Sequence, residues 1–335
     1  MKKCLLAATG TAALAATVWL TVIPVAGQGA AAAAGGTRAA AKWTPSRTPW
    51  GDPDLQGVFT NNDENGIPLE RPDNLQAARL EDVSEEELAR LRAEREKRRE
   101  EAAPNLGVLP GSNPVHWFEH FNAANSRAWL VVDPPDGKIP PLTPEAQRRP
   151  RARGGSSFGN GPFNSVLDFS LYDRCISRGV PGSMMPGIYG NAYGIVQAPG
   201  YVTIMYEMIH EARVIPLDGR PPVSSGIRTY MGDARGRWEG NTLVVETTNF
   251  KEGTAYRGAN AERLRLIERF TAVAADKLEW AVTLDDPTTW TRPWTFAMLL
   301  SRGGPEVQPF EYACHEGNYG MANMLRAART EEQAR

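Results

Sequence analysis

The chain has 335 residues, 41% of them hydrophobic and 23% charged, with a formal net charge of −2. That length supports one large domain or two modest ones, and the composition allows a sizeable core. A near-neutral balance without a Lys/Arg patch interleaved with aromatics argues against nucleic-acid binding and against adhesion to an anionic membrane.

The chain opens on MKK, followed by the uncharged run LLAATGTAALAATVWLTVIPVAG and a small-residue patch, GQGAAAAAGG. This order reads as a secretory signal peptide over residues 1–30, with an uncleaved anchor as the minority alternative. Cys4 precedes the apolar run, which argues against lipidation, and no later segment is apolar enough to span a membrane. The expected location is the periplasm or outside the cell. There the remaining cysteines, Cys175 and Cys314, are expected to form a disulfide, a reading favoured over a reactive thiol at Cys314.

Residues 31–47 read as a disordered linker, and 48–162 as an extended arm. In the arm, Leu55–Thr60 is a strand candidate after the Asp52-Pro53 turn, and AWLVVD at 128–133 is another. Between them, EDVSEEELARLRAEREKRREE at 82–102 predicts a solvated helix, with Ser84 and Glu87 as a capping box and Leu88 and Leu91 as a thin apolar stripe. His116 and His120 in HWFEH have i,i+4 spacing, for which aromatic packing is favoured over metal binding. The run DPPDGKIPPLTPEAQRRPRARGG is too rich in Pro and Gly for long regular elements.

From about 186 short β-type runs recur between turn signals: IYGNAYGIVQ, YVTIMYEMIHEARVIPL, GIRTYM, GRWEG, TLVVETTNF, LRLIERFTAV, KLEWAVTL and WTFAMLLS. Period-two alternation places Leu278, Trp280, Val282 and Leu284 on one face, and Leu264, Leu266, Glu268 and Phe270 on another. The fold class is therefore mainly β, an antiparallel sandwich or barrel over 163–328. It is preceded by a Pro/Gly-rich arm and one charged helix and followed by a disordered tail at 329–335.

The stretch EMIHE at 207–211 has the Glu-x-x-His spacing of a carboxylate-bridged metal site, which works only on a helix. Its β-rich surroundings predict a single strand over 201–215. His210 would then share an inward face with Val202, Ile204, Tyr206 and Met208, with Glu207 and Glu211 opposite. No second Glu-x-x-His, no HExxH, no G-x-S-x-G and no G-x-G-x-x-G loop occurs, so no metal or cofactor is expected, with a zinc site gathered from His210, His315 and Asp233 as the open alternative. His210 is either a core histidine bonded to a neighbour or an acid/base group lining a pocket.

Three polar clusters bear on that choice: YDRCISRG at 172–179, GDARGRWEGN at 232–241, read as a glycine-rich turn, and YACHEGNYG at 312–320. A Cys175–Cys314 bridge would bring the first and third together, as a site or as an ion-pair network. The candidate catalytic residues are His210, Arg228, Asp233 and His315. Tyr206, Tyr230, Trp238, Trp280 and Trp294 are the candidate lining of an internal pocket for a small hydrophobic or aromatic molecule. A cofactor-independent lyase, isomerase or hydrolase, a non-catalytic carrier and an envelope structural protein all stay open.

The strings WGDPDLQGVFTN, VDPPDGKIPPLTPEAQ, YDRCISRGVPG, EMIHEARVIPLDGRP, GDARGRWEGNTLVVETTNF, DPTTWTRPWT and YACHEGNYG resemble a large uncharacterised family of secreted bacterial proteins, over residues 48–328. The resemblance implies secretion and assigns no activity. Separately, the C-terminal strand series resembles lipocalin-like barrels, and Gly57-x-Phe59 is similar to the Gly-x-Trp of the lipocalin first strand, with Phe for Trp; this likeness implies an antiparallel lipocalin-like β-barrel and bears on fold alone.

Overall fold

The computed structural model describes residues 43–106, 125–150, 161, 163–187 and 189–334. The expected signal segment, most of the linker, and His116 and His120 lie outside the described residues. The strands are β1 (Gly57–Thr60), β2 (Val131–Asp133), β3 (Ala192–Ala198), β4 (Tyr201–Tyr206), β5 (Ala212–Pro216), β6 (Asp233–Glu239), β7 (Thr242–Thr248), β8 (Arg265–Ala274), β9 (Lys277–Asp285) and β10 (Trp294–Arg302). They form one sheet in the order β5-β4-β3-β1-β10-β9-β8-β7-β6, with every ladder antiparallel. β2 aside, strands adjacent in sequence are adjacent in space, and β1 joins the two ends by pairing with both β3 and β10. This is a nearly closed up-and-down barrel, the connectivity of lipocalin-like folds.

The ring lacks one ladder, between β5 and β6. There Gly236 lets the two strands approach: a Cβ on it would lie 2.5 Å from Leu217 Cδ2 and 2.8 Å from Ile215 Cγ2. A glycine is required by this close approach and not by an unusual φ.

The inward faces follow the period-two pattern. Leu278, Trp280, Val282 and Leu284 are all 0% exposed, as are Trp294, Phe296, Met298 and Leu300 of β10. Trp280 meets Phe296 edge-on at 5.6 Å and Trp290 meets Trp294 at 5.5 Å. Side chains with no surface open to a water-sized sphere have no water-sized void beside them. The interior is a packed core, in which each large apolar side chain contributes on the order of 2–3 kcal/mol.

The arm is more integral than its sequence suggests. β1 is a stave of the barrel, so the barrel is not confined to 163–328. β1 and β2 share one edge of β10, pairing at Ser301–Arg302 and at Thr295–Phe296. Between them Glu64, 1% exposed, accepts from Leu299 N–H at 3.2 Å and Ser126 N–H at 2.7 Å. Its carboxylate thus replaces the missing strand on that part of the edge.

The charged helix α1 (Glu85–Leu106) starts where Ser84 Oγ accepts from Glu87 N–H at 3.1 Å. Leu88 and Leu91 are buried as the stripe predicts. Arg95 continues it, 7% exposed, donating to Asn125 Oδ1 at 3.0 Å and to the Ala128 carbonyl. Burial lowers the Arg95 guanidinium to about 10. The helix is therefore pinned to the chain that leads into β2, not free in solvent. α2 (Pro144–Arg148) is a short turn capped by Thr143.

Three expectations are corrected. Residues 201–215 do not form one strand: β4 ends at Tyr206, a tight turn follows, and β5 begins at Ala212. The 232–241 cluster is mostly strand β6, so Asp233, Arg235 and Arg237 sit on a stave and not in a turn, whereas GIRTYM forms no strand. The expected tail at 329–335 belongs largely to helix α3 (Tyr319–Gln333). None of the described helices is long and apolar enough to cross a membrane.

Candidate functional site

The turn at 207–211 follows from what it must bury. Its ends are closed by the Tyr206 N–H to Glu211 carbonyl bond at 2.9 Å and the His210 N–H to Glu207 carbonyl bond at 3.0 Å. The Glu207 carboxylate, 8% exposed, accepts from Ala192 N–H at 3.1 Å. Met208 and Ile209 are each 2% exposed, whereas His210 is exposed. This arrangement needs two successive left-handed residues, Ile209 at φ 64° and His210 at φ 46°. For a β-branched isoleucine that conformation is an outlier, and each such residue costs on the order of 1–3 kcal/mol. The backbone turns two apolar side chains inward and one imidazole outward. Period-two logic places His210 on the interior face; the turn reverses it.

The imidazole meets the C-terminal segment. Cys175 and Cys314 form the expected disulfide, with Cα atoms 5.6 Å apart. It carries residues 311–315 across the turn. Nδ1 of His210 lies 2.8 Å from the Tyr312 carbonyl oxygen. A carbonyl only accepts, so Nδ1 carries the hydrogen, and in the neutral ring Nε2 keeps its lone pair. The His315 ring centre is 6.5 Å from that of His210. Tyr312 stacks on Tyr189 at 6.0 Å, its hydroxyl lies 3.5 Å from that of Tyr172, and Arg178 lies over the Tyr172 ring at 5.3 Å. Tyr189, Glu311, Tyr312, Ala313 and Cys314 line an open groove of about 400 Å³.

Three groups at or near the groove, Tyr312, Tyr172 and Glu211, are displaced towards their neutral forms. Burial, and then the hydroxyls of Tyr172 and Tyr189, hold the Tyr312 phenol far above its ordinary range. Burial also raises Tyr172, partly opposed by its bond to Tyr312. Glu211 is raised by burial and held back by the Ser177 hydroxyl, which donates to it at 2.9 Å. The phenols thus remain donors near neutral pH, beside an imidazole nitrogen able to accept a proton. Cys175 is also left-handed, at φ 55°, so three of the five non-glycine residues with positive φ among the described residues lie in the 207–211 turn or at the disulfide.

Of the four candidate catalytic residues, His210 and His315 come together. Arg228 is instead paired with Glu262 at 3.7 Å, and Asp233 with Arg235 at 2.6 Å, while also accepting from Val223 N–H at 2.8 Å. Among the candidate lining residues, Tyr206, Trp280 and Trp294 do point inward, but at 2%, 0% and 0% exposure they fill the interior and leave no open pocket. Trp238 is half-buried on β6, and Tyr230 lies beneath Lys251 Nζ at 4.6 Å, away from the barrel axis.

The interior holds one polar feature that the site prediction missed. Arg213 of β5 forms an ion pair with Glu268 of β8, their side chains 3% and 0% exposed. Arg213 Nη2 donates to Glu268 Oε1 at 3.0 Å, and Trp280 Nε1–H donates to the same oxygen at 3.1 Å. Burial works against the charged guanidinium as the largest single effect, but Glu268 and Tyr206 together displace the Arg213 pKa upward. Burial, more than any neighbouring charge, raises the nearby Tyr206 phenol. The signal was present in sequence: Glu268 occupies an inward register between Leu266 and Phe270, and a carboxylate there requires a cationic partner. Among the described residues no three His, Cys, Asp or Glu side chains are placed to hold a metal.

No family model matches the chain, and no curated protein matches it significantly. Two solved structures are similar over part of it. A secretary abundant heat soluble protein from Ramazzottius varieornatus aligns with 40% of this chain and 87% of its own, at 11% identity and a TM-score of 0.24. A point mutant of the fluorescent protein UnaG aligns with 40% of this chain and 86% of its own, at 15% identity and a TM-score of 0.22. Likenesses at this level say nothing about activity; the barrel rests on its own strand order.

Proposed function

We propose that the protein is a secreted small-molecule-binding barrel whose site is the outer groove at the disulfide, not the barrel interior. The observation that supports this most directly is the open groove at the disulfide, lined by Tyr189, Glu311, Tyr312, Ala313 and Cys314, with the left-handed Cys175 and His210 bonded to its lining residues Cys314 and Tyr312. Backbone strain persists only where the surroundings enforce it, and it concentrates at functional sites. The ligand would be a small molecule with an aromatic or planar ring, which the Tyr189–Tyr312 pair would stack against. Secretion is supported by the leader-like N-terminus and by the use of both downstream cysteines in one bridge.

A second reading, cofactor-independent acid/base chemistry, is favoured by one specific feature. The Tyr312 carbonyl fixes the His210 tautomer, leaving Nε2 as a base on a residue bonded to the groove's Tyr312. Mass spectrometry of small molecules co-purifying with the native secreted protein tests the binding reading. A compound retained by the wild type and lost from both Tyr189→Ala and His210→Ala supports it. A compound retained equally by both variants places the site elsewhere. Turnover of that compound, abolished by His210→Ala, would select chemistry over carriage.

A further inference from the structure

We infer that the Cys175–Cys314 bridge is a redox latch: it holds a C-terminal limb against the barrel, and with it one wall of the groove. The inference rests on the groove being the site. Four of the five lining residues, Glu311 to Cys314, belong to this limb, and only Tyr189 belongs to the body. No residue from 303 to 334 is buried. Phe310 and Tyr319 are 72% and 74% exposed.

The limb's apolar contribution to its own attachment is partial: Tyr312, Met321, Met324, Leu325 and Ala328 are half-buried and none is fully buried. Its polar ties are individually weak: His210 Nδ1–H to the Tyr312 carbonyl at 2.8 Å, the Tyr312 hydroxyl against that of Tyr172 at 3.5 Å, Asn318 Nδ2–H to the Asp173 carbonyl at 3.3 Å and to Cys175 Sγ at 3.4 Å, and Arg329 to the Phe163 carbonyl at 3.0 Å and to the Asn164 carbonyl and Oδ1 at 3.4 and 3.3 Å. The barrel, by contrast, has its own ladders and its own core, and β10 ends at Arg302, before the limb begins. The covalent bridge is the tie that makes the limb's position definite.

A dithiol opens the latch by two exchanges. Cys175 is 3% exposed, whereas Cys314 is half-buried and faces the groove. A thiolate attacks Cys314 Sγ, the S–S bond breaks, and Cys175 leaves as a thiolate that takes up a proton. The reagent's second thiolate then attacks the mixed disulfide and releases Cys314. Two electrons pass to the protein, and the dithiol becomes a cyclic disulfide. His210 loses its carbonyl partner and Tyr189 its stacking partner together. By reciprocity, a ligand bridging Tyr189 and Tyr312 shifts the reduction equilibrium towards the bridged form by the factor by which reduction weakens its binding.

Hydrogen exchange on the intact protein tests the latch without any ligand. The protein is treated with dithiothreitol, capped with iodoacetamide, and compared with the oxidised form. The Cys175→Ser/Cys314→Ser variant serves as a reagent-free check. Peptides covering 319–334 are expected to exchange at least tenfold faster once the bridge is gone, since a detached helix of this length is marginal in water. Peptides covering β8 and β9 are expected to stay unchanged. Unaltered exchange in 319–334 would overturn the latch, and so would acceleration of the barrel peptides by the same factor, which would make the bridge a staple of the whole fold. A failed ligand search leaves these outcomes intact, so the two readings fail separately.

Discussion

Arg213 and Glu268 clasp the barrel across its unbonded seam. β5 has no ladder to β6, yet Arg213 on β5 reaches Glu268 on β8, beyond that gap, from the inside. Replacing Arg213 with Met leaves a carboxylate buried at 0% exposure without its counter-charge, which costs about 4 kcal/mol. That is a large share of the roughly 5–15 kcal/mol that holds a domain folded. Removing both charges, as Arg213→Met with Glu268→Leu, takes away the uncompensated charge. What remains is the Trp280 N–H, which loses its acceptor at a cost of about 1–3 kcal/mol. The double variant is therefore expected to lose about 2 kcal/mol, less than either single variant. Urea unfolding followed by far-UV circular dichroism measures all four corners of the cycle. Additive losses, near 8 kcal/mol for the double variant, would refute the clasp, as would a loss below about 1 kcal/mol for Arg213→Met.

Removing the bridge through Cys175→Ser/Cys314→Ser should lower urea stability by about 2 kcal/mol. The cysteines are 139 apart in sequence, so the unfolded chain regains about 5 kcal/mol of loop entropy, while a limb freed in the native state recovers about 3 for its short loop; a loss near 5 would mean that the limb docks without the bridge. His210→Gly should be more stable than His210→Ala by about 1 kcal/mol, because both lose the imidazole and only glycine relieves φ 46°; urea midpoints in the opposite order would show that the turn carries no strain. Glu211 has its folded pKa raised by burial, so its contribution is fully present below its ordinary 4.5 and is lost as pH rises through the folded value. Glu211→Gln should therefore gain stability relative to the wild type as pH rises from about 4 to 8, and a flat difference in urea midpoint across that range would contradict the raised value.

The barrel was legible because its strands carry a physical signature that survives without context. Leu278 to Leu284 alternate, and so do Leu264 to Phe270, and the inward set is the buried set. The turn at 207–211 was illegible for the opposite reason. It contains no Gly, Asn, Asp or Pro, the residues that announce a reversal. Its two left-handed residues are Ile209 and His210, which the surrounding structure holds there against local preference. The partnership of His210 with His315 depends on a disulfide spanning most of the barrel, and no local window contains it. Arg213 was hidden within the misread strand: once 201–215 is taken as continuous, its register past Tyr206 carries no information about facing.

The location of the chemistry-bearing residues follows from how the interior is used. A barrel of this size encloses room for either side chains or one small ligand. Here Trp280, Trp294, Phe296 and the Arg213–Glu268 pair occupy it, and the pair adds a requirement for fixed geometry that a ligand cavity would break. Binding groups must then lie on the connections outside, where backbone is free to depart from the ladder. The two available connections differ in kind. The 207–211 turn is rigid, closed by its own hydrogen bonds and anchored by two buried apolar side chains. The limb at 303–334 has no buried residue and is held by a covalent bond. The turn keeps His210 in place whatever the limb does, whereas Tyr312 faces Tyr189 across the groove only while the bridge is intact. Loss of the bridge should therefore weaken ligand binding by removing Tyr312, and leave the position of His210 unchanged.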